Sequence, residues 1–144
     1  MQMNESSKYD KMKLYVENAK NNSIPTDAYL QVNFACNAKC VMCNIWKNPY
    51  MGEKETLLSI INKLSDLNFK WVTLWGGEPL LHPNIDDLII HAKNKNLKVQ
   101  IITNGSLLNN HVDVVSNFVD NLVVSIDSGF PEIHDKIRNL PRNF

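Results

Sequence analysis

The sequence predicts an α/β fold: a parallel sheet with helices packed outside it. Three observations carry this. Strand-like runs alternate with amphipathic helical runs along most of the chain. One strand run, WVTLW at 71–75, is almost continuously apolar, which suits a strand covered on both faces. Successive strand runs are separated by stretches long enough to hold a helix, and such crossovers are right-handed and leave their strands parallel.

Taken in order, residues 9–20 place Tyr9, Met12, Tyr15, Val16 and Ala19 at three- and four-residue spacing. That period predicts a helix within an N-terminal helical extension over 1–27. The polar stretch NNSIPTD ends the pattern, and AYLQVNF at 28–34 then alternates apolar and polar residues as a strand does. After the turn NPYMGE, Leu57, Ile60, Ile61, Leu64 and Leu67 recur at the period of an amphipathic helix, followed by the strand at 71–75. The alternation repeats with a helix over 85–95, a strand over 99–102, a helix over 112–118 and a strand over 122–126. PEIHDKIR, at 131–138, opens a further crossover helix, and the chain stops at Phe144 before another strand. The expectation is a fold truncated after about four βα units, with residues 28–144 as its core.

A chain of 144 residues that is 44% apolar can bury a core as one compact domain. Lys plus Arg and Asp plus Glu are equal at 15 each, so no net field draws the protein to nucleic acid or to an anionic membrane. A small molecule or a peptide is the expected partner. The first twenty residues hold no apolar run of signal-peptide or membrane-span character, so a cytoplasmic location is expected. The 3 cysteines are an odd count confined to eight residues, which rules against a disulfide framework and points to metal or redox chemistry.

Those cysteines, Cys36, Cys40 and Cys43, stand in CNAKCVMC directly after the first predicted strand. Three thiolates at CxxxCxxC spacing can grip three corners of a cubane iron-sulfur cluster, which takes four cysteines when fully ligated. One iron then keeps an open position, as catalytic metal sites do. On spacing alone a zinc site of three cysteines with His82, His91, His111 or His134 as fourth ligand stays open, as does a redox thiol.

Three further segments follow strand runs. Gly76-Gly77-Glu78-Pro79 combines two residues without side chains, able to bring backbone close to a ligand, with a stiff proline. Read alone it is equally an ordinary strand-to-helix turn. Thr103-Asn104-Gly105 contains a common turn dipeptide. In SIDS at 125–128, Asp127 or Ser128 could cap the next helix.

CxxxCxxC after a first strand, GGEP after a second, TNG after a third and SIDS after a fourth resemble the radical SAM family over about residues 28–140. The resemblance implies a partial (β/α) barrel of the radical SAM type, cut to roughly four of its six βα units. Loops at the C-terminal strand ends would then converge on one pocket. It implies that Cys36, Cys40 and Cys43 hold a [4Fe-4S] cluster and that S-adenosylmethionine binds the open iron. Gly77 and Glu78 would help hold its amino group, Ser125 its carboxylate or ribose, and Arg138, in HDKIR, the carboxylate. Met42 stands where relatives often place an aromatic residue near the adenine, and a soft thioether can fill that space. Trp46, Trp71 and Trp75 are read as core or rim residues. For Arg138 the alternative is a solvated helix charge.

The implied reaction is reductive cleavage of S-adenosylmethionine to methionine and a 5'-deoxyadenosyl radical, which abstracts hydrogen from a peptide or small-molecule substrate. The cofactor supplies the hard chemistry, and the protein supplies positioning and electrostatics. An external electron donor of flavodoxin or ferredoxin type is implied as partner, together with a missing C-terminal segment. CVMCNIW and HDKIR are most similar to maturases that carry a C-terminal SPASM domain, although no further cysteine remains here for its clusters. A molybdenum-cofactor-type cyclase fits less well, because Thr73 replaces the arginine expected four residues before Gly77. Two alternatives remain: a truncated cluster-binding fragment without turnover, and a three-cysteine zinc or electron-transfer module.

Overall fold

A computed structural model describes residues 26–144, and the helix expected over 9–20 lies outside the described residues. Four strands form one sheet: β1 (Asp27–Asn33), β2 (Trp71–Gly76), β3 (Lys98–Thr103) and β4 (Asn121–Val124). They lie in sequence order, β1-β2-β3-β4, and every pairing is parallel. All four C-terminal ends therefore open on the same rim. Helices α1 (Lys54–Asp66), α2 (Ile85–Asn94) and α3 (Val112–Phe118) make the crossovers, and α4 (Pro131–Arg138) follows β4.

The strand period of two sends alternate side chains to opposite faces. Val32, Val72, Leu74, Val99 and Ile101 pack with Leu57 and Ile61 of α1 and Leu88, Ile89 and Ala92 of α2. The other face carries Trp71, Thr73, Gln100 and Asn121 around an open cavity. An amide ladder crosses it, from Asn121 Nδ2 to Gln100 Oε1 (2.5 Å) and from Gln100 Nε2 to Thr73 Oγ1 (3.2 Å). The apolar run WVTLW thus overstates the burial of β2. Val72 and Leu74 are sealed, while Trp71 and Trp75 are only half-buried.

Three helices close with one device. Asn68, Asn96 and Asn139 have φ of 62°, 61° and 46°, a left-handed conformation that asparagine tolerates better than most side chains. The following apolar residue reaches back, Phe69 to Leu64, Leu97 to Ala92 and Leu140 to Asp135, in main-chain bonds of 3.0–3.2 Å. These Schellman-type closures stop each helix, and the first two aim the chain into the next strand. Strand β4 differs from expectation. It ends at Val124 rather than 126, and Leu122, Val123 and Val124 remain 38–39% exposed because only β3 flanks the strand. No helix among the described residues is long and apolar enough to cross a membrane.

Candidate functional site

The loop after β1 carries the cysteines and is pinned at its base. Phe34 N–H donates to Tyr50 O (2.8 Å) and Gly52 N–H to Val32 O (2.9 Å). His82 Nδ1 accepts from Asn84 N–H, so its Nε2 carries the proton and donates to Gly52 O at 2.8 Å. Further along, Lys39 N–H and Val41 N–H donate to Arg138 O (3.1 Å) and Ile137 O (3.0 Å). The last carbonyls of α4, which a helix cannot satisfy internally, are thereby met by the two residues flanking Cys40. Trp46 Nε1–H closes the loop on Cys43 O at 2.8 Å. All three cysteines are free of disulfides. Burial pushes the Cys36 thiol above its ordinary 9.0; Ala38 N–H opposes the shift, while Glu78 and the other two thiols add to it.

The β2 end locks against this loop. Gly77 N–H donates to Asn33 O (3.1 Å), Glu78 N–H to Ala35 O (2.9 Å) and Asn33 Nδ2 to Glu78 O (2.8 Å). A Cβ on Gly77 would stand 2.2 Å from Ala35 O and 2.3 Å from Phe34 O. The glycine is required by the approach of two backbones, a reason the sequence does not reveal. Glu78 is 0% exposed. Its Oε1 accepts from Thr103 Oγ1 (2.7 Å) and Leu80 N–H (3.0 Å), and its Oε2 from Asn104 N–H (2.8 Å). Desolvation raises its pKa above the ordinary 4.5, with those three hydrogen bonds and the nearby His111 pulling against it.

A cavity of about 190 Å³ opens between these elements. Cys36, Cys40, Cys43, Met42, Gly77, Ser125 and Arg138 all line it, so the structure brings together residues that span more than a hundred positions. Glu78 does not line it; its carboxylate lies behind the wall. Arg138 is not a solvated helix charge. Its side chain is 13% exposed, and its Nε lies 2.6 Å from Asp127 Oδ2. Asp127 therefore holds the guanidinium instead of capping α4, and its N–H donates to His134 Nδ1 (3.2 Å). Ser128 Oγ accepts from Phe130 N–H, tightening the turn before the helix without capping it.

Trp46, Trp75, Thr103 and Asn104 also line the cavity. Trp75 had a usable signal: it faces the same side of β2 as Trp71 and Thr73, directly before the glycines. Thr103 and Asn104 had only weak signals, a turn dipeptide and their place at the third strand end in the family resemblance. The four histidines are engaged away from the thiols. His82 holds Gly52, His91 pairs with Asn62 Oδ1, His111 with Asp86 and Leu80 O, and His134 with Asp127 N–H and Asn143.

Residues 30–143 match the family model described as the Radical SAM superfamily. The chain belongs to that superfamily. It is 28% identical over 127 residues to the antilisterial bacteriocin subtilosin biosynthesis protein AlbA of Bacillus subtilis, covering 84% of this chain and 28% of AlbA. An S-adenosylmethionine-dependent nucleotide dehydratase of Flammeovirga pacifica is 34% identical over 122 residues, covering 75% of this chain and 40% of the dehydratase. Streptococcus suis SuiB, solved bound to the precursor peptide SuiA, superposes with a TM-score of 0.73 at 19% identity, covering 98% of this chain and 34% of SuiB. The four βα units are thus a part of the radical SAM barrel, and this chain spans well under half the length of those relatives.

Radical SAM proteins are enzymes whose cofactors are a [4Fe-4S] cluster and S-adenosylmethionine. The residues present fit that pair. Three unbridged thiols share one cavity with no histidine directed to them. Among the described residues no three His, Cys, Asp or Glu side chains converge closely enough to hold a single metal ion. A cubane, whose corners stand apart, asks for no such convergence. Trp75 Nε1–H is a buried donor without a partner in the wall of the cavity, poised for an acceptor on a bound ligand.

Proposed function

We propose that this chain binds a [4Fe-4S] cluster through Cys36, Cys40 and Cys43 and S-adenosylmethionine beside it, and acts as a radical SAM enzyme on a peptide or small-molecule substrate. The observation that carries the reading is the meeting of the three thiols with Gly77, Ser125 and Arg138 in one cavity. Bound there, the pair would supply one-electron cleavage of S-adenosylmethionine to a 5'-deoxyadenosyl radical able to take hydrogen from substrate.

The protein's part is positioning. Arg138, aligned by Asp127, would neutralise the methionine carboxylate, with Ser125 donating a hydrogen bond to that group or to the ribose. Gly77 would offer main chain to the amino group. Glu78, whose oxygens already accept three hydrogen bonds, would serve by fixing Gly77 from behind rather than by reaching the ligand. Met42, 60% exposed at the cavity mouth, would lay its thioether against the adenine. SuiB, solved bound to a precursor peptide, and the nucleotide dehydratase motivate a peptide and a small molecule respectively as substrate class. A cytoplasmic location is part of the same proposal; among the described residues no helix is long and apolar enough to cross a membrane.

Anaerobic reconstitution with iron and sulfide, then reductive incubation with S-adenosylmethionine, tests the reading. A brown cluster and 5'-deoxyadenosine are expected; zinc uptake without sulfide would sink it. The exposed flank of β4 favours a second reading, in which the chain holds the cluster but needs further strands for turnover. A cluster without 5'-deoxyadenosine would select that one.

A further inference from the structure

His111, the residue before α3, does not line the cavity, yet both nitrogens of its ring are engaged. Nδ1 lies 2.7 Å from Asp86 Oδ1 on α2, and Nε2 lies 3.1 Å from Leu80 O. A carboxylate and a carbonyl only accept, so a ring that satisfies both carries two protons and a positive charge. Leu80 O depends on that ring. Three residues beyond it stands Pro83, which has no N–H to extend the short turn Pro79–Leu81. Among the described residues no main-chain donor meets Leu80 O, and Leu80 is 3% exposed. The other end of the residue is fixed as well, since Leu80 N–H donates to Glu78 Oε1 at 3.0 Å. Glu78 in turn receives Thr103 Oγ1 and Asn104 N–H, from two residues of the cavity wall, and directly follows Gly77.

We propose that His111, as an imidazolium, is a positioning residue of the S-adenosylmethionine site: it holds Leu80, and through Leu80 the Glu78 carboxylate and the turn at Gly77. The inference rests on the cofactor reading above and adds a proton to what that site requires. When the ring loses a proton, one N–H must serve two acceptors. The carboxylate keeps it, because a charge-assisted hydrogen bond is roughly twice as strong as a neutral one. Nε2 then presents a lone pair to Leu80 O, and a buried carbonyl is left without a donor. Relief requires the turn Pro79–Leu81 to shift, which draws Leu80 N–H from Glu78 and loosens the strand end that carries Gly77. The charged groups around His111 are Asp86 on α2, Glu78 behind Leu80, and Asp113 in the first turn of α3. All three are carboxylates and favour the imidazolium, while Asp87, next to Asp86, is paired with Lys54.

The test uses the full chain, reconstituted and kept oxidised so that S-adenosylmethionine binds without being cleaved. Titration calorimetry gives its Kd across a pH series, and NMR of chains labelled at histidine Cε1 follows the His111 ring in the same samples. The ionisation of S-adenosylmethionine itself is common to every protein compared, so differences between proteins carry the result. His111→Gln, an uncharged donor, should bind about fivefold more weakly than the unaltered chain while the ring is charged, the worth of about one hydrogen bond. The two should converge as pH rises through the His111 midpoint. Asp86→Asn leaves the ring in place without its carboxylate, so it should move that midpoint, and the binding curve with it, to lower pH. This arm decides even where His111→Gln fails to fold. An affinity gap that pH does not change, or an Asp86→Asn chain whose ring midpoint moves while its binding curve does not, would make His111 merely structural and overturn the inference. A ring midpoint that Asp86→Asn leaves unmoved would overturn it too. An unaltered chain that takes up no iron and sulfide, or binds no S-adenosylmethionine at any pH, would overturn the cofactor reading and this inference with it.

Discussion

Two regions of the rim sit side by side and are built on opposite principles. The junction around Glu78 is closed: a fully buried carboxylate, three donors aimed at it, and glycines packed against backbone. The cysteine loop is anchored at its base and across to α4, yet leaves its thiols unbridged beside a cavity. Closure spends polar groups on each other and fixes where strand ends lie. Openness keeps reactive groups available. A site that must grip a cluster in one geometry needs both, since ligands are useful only when the frame behind them does not move.

The largest effect should come from the open region. Cys36→Ala, Cys40→Ala or Cys43→Ala should each abolish the cluster absorbance after reconstitution, because three ligands leave no spare. Full absorbance in any of them would break the contrast outright. In the closed region, Gly77→Ala would force a methyl to within 2.2 Å of Ala35 O. Denaturant unfolding should show a loss of about 3 kcal/mol, the upper range for overpacking. Glu78→Gln turns one acceptor into a donor facing Asn104 N–H or Thr103 Oγ1, and should cost about 2 kcal/mol by the same measurement.

The Glu78 variant also has a pH signature. The carboxyl's folded pKa is raised above 4.5, so the native state binds the proton more tightly than the unfolded chain. The stability of the unaltered protein relative to Glu78→Gln should therefore be greatest below pH 4.5 and decline as pH rises through the folded pKa. A flat difference would mean that the carboxylate is not desolvated. The smallest effect lies far from the rim, where Asp120 accepts from Val99 N–H at 2.7 Å and pairs with Lys93. Burial works against its charge, but these partners outweigh burial and lower its pKa below 3.8. Its contribution should be present above pH 3.8 and fade as pH falls through the folded pKa. Solvent screening should keep the thermal-unfolding loss in Asp120→Asn under about 1 kcal/mol.

The βα alternation was legible throughout the described residues, since buried faces impose periods of two and 3.6 that composition alone cannot mimic. The α3 and α4 spans agree with expectation at both ends. Where reading failed, a long-range neighbour decided. The strand expected over 122–126 stops at Val124, where β4 has β3 on one side only. WVTLW looks sealed, but Trp71 and Trp75 line two separate cavities. Asp127 looks like a cap until Arg138 arrives from the next helix. Trp46 and Trp75 looked like ordinary rim residues and stand in the cavity wall.

By itself the sequence determined the order of elements, the parallel sheet and the three clustered thiols, because local periodicity and ligand spacing are written in neighbouring residues. Tertiary structure alone decided that Glu78 turns inward, that Gly77 is needed for a backbone crossing, that Arg138 is held at the cavity by Asp127, and that His111 bridges Asp86 and Leu80. Each of those depends on groups from separate segments or turns meeting at hydrogen-bonding or van der Waals distance, which only the folded chain brings about.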